Sequence, residues 1–168
     1  MKTILDKSQL DLTIQRLSHQ LLENNGDFTG TVIIGLQPRG ILLADRIVNH
    51  LHLIGYKEVK YGKLDITFYR DDIRKELHIA NHTDIKFTIE DKKVILVDDV
   101  LYTGRTIRAA LDALLDFGRP QKVELCVLVD RRFSRQLPIQ PDYSGRSIDS
   151  IISQKVKVEW DKERVVLY

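Results

Sequence analysis

The sequence predicts an α/β protein built on an open, mostly parallel sheet flanked by helices. Three observations carry that prediction. Aliphatic runs at Thr31-Val32-Ile33-Ile34-Gly35-Leu36, Val94-Ile95-Leu96-Val97 and Val123-Glu124-Leu125-Cys126-Val127-Leu128-Val129 are nearly continuous, as in strands buried on both faces. The first two are each followed by a short glycine-containing turn and a helical apolar period, the unit of a parallel sheet with right-handed crossovers. No internal repeat, low-complexity tract or linker interrupts the series, and 168 residues suit one domain able to bury a substantial core.

Taken in order, the chain opens on a helix with Ser8 as its expected N-cap and Leu10, Ile14, Leu17 and Leu21 as its apolar stripe. That helix should end near Asn24-Asn25-Gly26, with Gln15, Arg16 and His19 on its more polar side. After the first buried strand, Gln37-Pro38-Arg39-Gly40 forms a loop. A second helix then runs through Ile41, Leu42, Ala44, Ile47, Val48 and Leu51. Residues 59–69 read as extended chain interrupted at Gly62, with Leu64, Ile66 and Phe68 on one face and Asp65 and Thr67 on the other. From Tyr69 to about Glu90 the pattern dissolves into charged and polar residues, the composition of a disordered excursion or a functional lid. His78 and His82 are four apart, but the segment has no helical period and no zinc-protease glutamate, which disfavours a metal site there. His50 and His52, two apart on a helix, point away from each other.

The second buried strand leads into a helix whose apolar face is expected at Ile107, Leu111, Leu114 and Leu115 and whose end is marked by Phe117-Gly118-Arg119-Pro120. The third places Asp130 and Arg131 at its carboxyl edge, where open α/β sheets bind ligands. In the tail, apolar residues around Val156 to Trp160 and Val165 to Leu167 flank a polar connection, the pattern of a hairpin over residues 155–168.

Composition excludes several classes. Forty-three per cent hydrophobic and 30% charged residues describe an ordinary soluble protein, and a net charge of +2 is too small to announce a nucleic-acid binder. The amino terminus lacks the apolar core of a signal peptide and no run approaches a membrane span, so a cytoplasmic location with no membrane partner is expected. The lone cysteine, Cys126, sits inside an apolar run and reads as packing.

The chemistry concentrates in Val94-Ile95-Leu96-Val97-Asp98-Asp99-Val100-Leu101-Tyr102-Thr103-Gly104-Arg105-Thr106. Two carboxylates emerge where a buried strand leaves the sheet, followed by a hydroxyl- and glycine-bearing turn and a helix start. Backbone N–H groups there suit a phosphate dianion, with Gly104 permitting close approach and Thr103 and Thr106 adding hydroxyls. Ionised Asp98 and Asp99 accept hydrogen bonds from vicinal ribose hydroxyls or hold hydrated Mg²⁺. Phosphate at one end and diol at the other describe a ribose 5-phosphate. An apolar run ending in Asp-Asp also resembles a Walker B strand. That fold requires a Gly-Lys-Ser/Thr loop, and the only Gly-Lys pair, Gly62-Lys63, is followed by Leu64. An ordinary strand, turn and capped helix with solvated acids is the plainer alternative.

Residues 94–106 resemble, without a gap, the phosphoribosyl pyrophosphate (PRPP) signature of the type I phosphoribosyltransferases. Around them, Asp65-Ile66-Thr67-Phe68-Tyr69-Arg70-Asp71-Asp72, Gly118-Arg119-Pro120 and Val127-Leu128-Val129-Asp130-Arg131 resemble the PyrR family of pyrimidine-operon attenuators and uracil phosphoribosyltransferases. The resemblance implies the type I phosphoribosyltransferase fold, with a flexible flap over about residues 70–90 and a small hood over about 130–155. It implies catalytic roles for Asp98 and Asp99, PRPP binding by Val100, Leu101, Tyr102, Thr103, Gly104, Arg105 and Thr106, and a pyrophosphate loop at Pro38, Arg39 and Gly40. In relatives this loop commonly has an unusual peptide geometry, and Gln37-Pro38 stands where they usually have Lys-Thr.

By the same resemblance Arg70 and Lys75 belong to the flap and meet phosphate oxygens, and Asp130 and Arg131 lie by the base under the hood. Mg²⁺ is implied as the cofactor, carried by the substrate with Asp98 and Asp99 acting indirectly, and the implied ligands are PRPP, uracil and UMP. A homodimer or higher homo-oligomer is the family habit. Attenuation implies a pyr mRNA hairpin as partner, met by Arg16, His19 and Arg135, although Gln15 and Gln140 replace a usual threonine and arginine. Two alternatives to a uracil enzyme stay open: an RNA-binding regulator with weak or no catalysis, and a phosphoribosyltransferase for a purine base such as hypoxanthine, since the PRPP loop does not see the base.

Overall fold

The computed structural model describes residues 1–69 and 82–168. Its elements in chain order are β1 (Lys2–Leu5), α1 (Lys7–Asn25), β2 (Thr31–Leu36), α2 (Gly40–Leu53), β3 (Lys60–Leu64), β4 (Lys93–Leu101), α3 (Arg105–Leu114), β5 (Lys122–Arg132), β6 (Tyr143–Asp149), β7 (Val156–Glu159) and β8 (Arg164–Leu167). Five strands form a sheet in the order β3-β2-β4-β5-β6, every pair parallel, and β1-β8-β7 form a separate antiparallel sheet. The predicted fold class holds.

Alternation along the central strands divides the core in two. Ile33, Ile95, Val97 and Cys126 meet Leu17, Leu21, Leu43, Ile47 and Leu51 of α1 and α2 on one face. Val32, Ile34, Val94, Leu96 and Val127 meet Ile107, Ala110, Ala113 and Leu114 of α3 on the other. Most of these side chains are wholly buried, each worth about 1.5–3 kcal/mol for a large aliphatic, and burial on both faces is why the strands read as continuous apolar runs. Burial also pushes the Cys126 thiol up to about 12, so it packs and does not react.

Local chemistry corrects several expectations. The N-cap of α1 is Asp6, whose carboxylate accepts from the Gln9 amide at 2.9 Å while the Gln9 side chain accepts from the Asp6 amide at 3.0 Å. This reciprocal capping box starts the helix before Ser8. The buried face of α3 runs through Ile107, Ala109, Ala110, Ala113 and Leu114, leaving Leu111 39% and Leu115 66% exposed. Alanines let the helix lie close to the sheet, so the large leucines do not mark the contact face.

Gly62 does not interrupt β3. It lies within the strand, buried, where a Cβ would come within 3.1 Å of the Asp84 carbonyl and the Phe87 ring. The strand stops at Leu64 rather than continuing to Tyr69. The Asp65 carboxylate accepts from the Thr67 amide (3.1 Å) and hydroxyl (2.6 Å), turning Thr67–Tyr69 into a short 3-10 helix. Residues 82–90, expected within the flap, are tied to the body: Gln37 donates to the His82 carbonyl (2.8 Å), Asp84 bridges Lys63 and Ile89 is fully buried. Arg70, Lys75 and His78 lie outside the described residues.

Candidate active site

The site is built where β4 leaves the sheet. Up to Val97 the strand alternates strictly between the two core faces, but Val100 packs on the face shared with Val97 and Leu101 on the other, so the alternation breaks at the acidic pair. The two carboxylates there fold back on the chain. Asp98 Oδ1 accepts from the Asp99 amide at 2.9 Å and Asp99 Oδ1 from the Val100 amide at 2.8 Å. Both residues are buried, at 7% and 5% exposure. Burial, and then the neighbouring Asp99 carboxylate, raise Asp98 well above the usual carboxylate range, against the opposing pull of the Asp99 amide and the Arg39 guanidinium. Each acid has one oxygen engaged by a backbone amide, and burial makes Asp98 resist ionisation.

Beyond the acids the chain turns through Thr103 and Gly104. Gly104 takes φ +92° as the N-cap of α3, a left-handed conformation that glycine tolerates best. Gly104 has no side chain to cap this helix start. Thr103 Oγ1 accepts from the Arg105 amide at 3.3 Å, and the Thr103 carbonyl is held by the amides of Gln136 (2.9 Å) and Leu137 (3.3 Å). A helix N-terminus led by glycine on a rigid turn presents backbone amides that suit an anion. Leu101 is buried in the core, so its side chain supports the turn from below, while Val100, Tyr102, Thr103, Arg105 and Thr106 are half-buried.

The loop from β2 to α2 reaches the same acids. Gly40 opens α2 against β4 so closely that a Cβ would sit 2.5 Å from the Val97 carbonyl and 3.1 Å from Asp98 Oδ1. The requirement for glycine here is the backbone approach. The Gln37-Pro38 peptide is cis, Pro38 and Arg39 are exposed, and Arg39 Nε lies 3.9 Å from Asp99 Oδ2. The loop thus brings a half-engaged guanidinium and a second helix start without a side-chain cap to the acidic pair.

The third part is β5, which runs on to Arg132, so Asp130 and Arg131 lie at its carboxyl end, as expected, and are buried there at 8% and 5% exposure. Asp130 pairs with Arg135. Arg135 also donates to the Ile139 carbonyl (2.7 Å), the Tyr102 carbonyl (2.8 Å) and the Arg131 carbonyl (2.9 Å). These bonds use most of the guanidinium's five N–H donors and make Arg135 an internal clamp, in place of the outward RNA contact expected of it. Arg131 bonds the 150–154 loop through Nε and Nη2 and stacks on Tyr102, so most of its polar edge is turned to the protein. Sequence reasoning missed both engagements and the amides of Gln136 and Leu137. Nothing in the local pattern signals them, because their partners lie on other elements. Next to Arg131, a cavity of about 790 Å³ is lined by Phe133, Ile151, Ile152, Asp149 and Gln154.

Arg16 and His19, expected on a polar face of α1, are exposed. Arg16 donates to the Gly145 carbonyl of β6, and the His19 ring meets His50 edge-on at 5.5 Å. Among the described residues no helix is long and apolar enough to cross a membrane, and no group of three or more His, Cys, Asp or Glu side chains is placed to hold a metal.

A parallel sheet whose carboxyl edge joins paired acids to two helix starts is the arrangement a phosphoribosyltransferase requires, and the family model places the chain in that class. Residues 1–163 match the family model described as the phosphoribosyl transferase domain. The chain belongs to the PyrR family within that class. It is 42% identical to the bifunctional protein PyrR of Bacillus cereus (strain AH820), over 98% of this chain and 96% of that protein, with the same figures for the protein of that name from Bacillus thuringiensis subsp. konkukian (strain 97-27). Solved structures share the fold at low identity. A hypoxanthine phosphoribosyltransferase from Staphylococcus aureus superposes with TM-score 0.73 at 16% identity, covering 98% of this chain and 90% of that one. The hypoxanthine phosphoribosyl transferase of Trypanosoma cruzi gives 0.74 at 16% identity, with 99% and 90% covered.

Proposed function

We propose that this protein transfers ribose 5-phosphate from Mg²⁺–PRPP to uracil, giving UMP and pyrophosphate. The observation that carries the reading is the buried Asp98–Asp99 pair standing directly before the glycine-led start of α3. Breaking the bond from the anomeric carbon to pyrophosphate develops positive charge on the ribose ring and negative charge on the departing oxygen. Preplaced opposite charges are worth most in a water-poor site. Asp98 and Asp99 accept from the ribose hydroxyls and face the cationic ring. The turn at Thr103, Gly104, Arg105 and Thr106 fixes the 5-phosphate, and Pro38, Arg39 and Gly40 receive the pyrophosphate. The residues fit a metal that arrives with the substrate: among the described residues no third ligand joins the two acids, and Asp98 and Asp99 would hold a hydrated ion as acceptors. Mg²⁺ would supply charge neutralisation for the departing pyrophosphate. No protein nucleophile is required, which agrees with the inert Cys126.

The base belongs in the cavity beside Arg131, at the carboxyl ends of β5 and β6, where Phe133, Ile151 and Ile152 offer an apolar wall to a planar ring. Pyrophosphate release from PRPP, measured with uracil, hypoxanthine and guanine in turn, tests the assignment. Release with uracil alone supports it, and release with a purine alone replaces it by the purine reading.

A second function, binding of a pyr mRNA hairpin, is favoured by Arg16 and His19 standing exposed three residues apart on one face of α1. Binding that weakens steeply with salt supports it. Full catalysis with no binding leaves an enzyme alone. A homodimer or larger assembly and a cytoplasmic location accompany the proposal.

A further inference from the structure

Resting on the phosphoribosyltransferase reading, we propose that Arg131 is a positioning residue that holds the base-side loop, residues 150–154, in register with the phosphate-binding turn. Its side chain is buried at the end of β5 and faces two ways. On one side Nε donates to Ser150 Oγ at 2.8 Å and Nη2 donates to the carbonyls of Gln154 (2.9 Å) and Ile151 (3.3 Å). On the other the guanidinium lies 4.0 Å from the centre of the Tyr102 ring.

Within the loop, Ile151 and Gln154 otherwise bond each other: the Ile151 amide donates to Gln154 Oε1 (3.0 Å) and the Gln154 amide to the Ile151 carbonyl (3.0 Å). A loop so closed on itself takes its position from what grips it. Arg131 supplies that grip through acceptors at both ends of the loop, and a planar guanidinium can do this while stacking on an aromatic ring, which an ammonium cannot.

Tyr102 sits between the acidic pair and the turn at Thr103, and its carbonyl is bound by Arg135, which also binds the Arg131 carbonyl. The Tyr102 ring and Arg131 therefore join the turn to the loop that walls the 790 Å³ cavity. Arg131 thus sets how well the base is held without touching PRPP. These partners commit the Nε and Nη2 donors of Arg131 to the loop.

The test uses the full chain with Arg131→Gln, Arg131→Lys and Tyr102→Leu, measuring KM for uracil and PRPP separately and hydrogen exchange at residues 150–154. Loss of charge-assisted bonds to two carbonyls predicts a rise of about tenfold or more in KM for uracil in R131Q. The KM for PRPP should rise less, by about threefold at most, because Arg131 meets that turn only through the Tyr102 ring. Exchange in the loop should accelerate, and R131K should recover part of each effect.

Equal rises in both KM values, or unchanged exchange in the loop, overturn the proposal. If R131Q does not fold, Y102L keeps the three hydrogen bonds and removes only the stacking. Faster loop exchange there supports the linkage and unchanged exchange overturns it. Wild-type protein that releases no pyrophosphate with any base defeats the phosphoribosyltransferase reading, whereas the exchange measurement still decides whether Arg131 positions the loop.

Discussion

At the scale of the residue, the site rests on two neighbouring acids treated differently by their surroundings. Burial and Asp99 hold Asp98 above the usual carboxylate range, so it titrates higher in the folded protein than in the unfolded chain. Folding is then favoured while Asp98 is protonated, and that contribution fades as pH rises through its folded value. Asp98→Asn should accordingly be more stable than the wild type at neutral pH, with the gap closing on acidification into the carboxylate range. Thermal midpoints measured across pH check this, and a gap that widens on acidification contradicts it. Asp99→Asn should lower turnover by about a hundredfold, as for other groups that face developing charge, while the thermal midpoint moves by less than about 4 °C. Pyrophosphate release beside a melting curve separates the two effects. The acids and Gly104 were legible because their types and spacing suit the turn, whereas Arg39, on the loop between β2 and α2, was reached only through the family resemblance. The commitments of Arg131 and Arg135 were not, since a guanidinium's partners are decided by tertiary neighbours at Tyr102, Ser150 and Gln154.

At the scale of the element, the strands buried on both faces could be read because each is apolar along its length, and the helices after the first two from their apolar period. β6, Tyr-Ser-Gly-Arg-Ser-Ile-Asp, could not: it is an edge strand with three of its seven residues exposed and one buried, so it carries no apolar run. It follows β5 in parallel through residues 133–142, without the usual crossover helix. That stretch packs its Gln136 and Leu137 amides on Thr103 and so doubles as a brace for the phosphate turn. The second brace is Gly40. Gly40→Ala places a methyl 2.5 Å from the Val97 carbonyl and against the side of Asp98, which forces α2 away from β4. The expected cost is about 1–3 kcal/mol of stability, with a larger proportional loss of PRPP binding than Asp99→Asn would cause through folding alone. Chemical denaturation and PRPP titration of the same variant check both, and unchanged stability contradicts the packing argument.

At the scale of the whole molecule, the five-stranded sheet places its ligand chemistry on one edge, while the antiparallel sheet joins the two chain ends. The tail hairpin was evident from its alternation, but its partner β1 was hidden in a short amino-terminal segment with no pattern of its own. β1 pairs with β8, and Leu5, Val158 and Val165 enter the core shared by α1 and α2. Removing residues 1–5 should cost about 2–4 kcal/mol, seen as a lower urea midpoint. A midpoint unchanged by the deletion would mean that β8 is adequately covered without β1.

The account's central claim is that the turn leaving β4 grips a phosphorylated ribose whose diol faces Asp98 and Asp99. Calorimetric titration of PRPP with Mg²⁺ into wild type and the Asp98→Asn/Asp99→Asn double variant tests it most directly. The account predicts saturable binding by the wild type and a loss of about tenfold or more in affinity in a variant that still melts cooperatively. Equal affinity in the two proteins would contradict it.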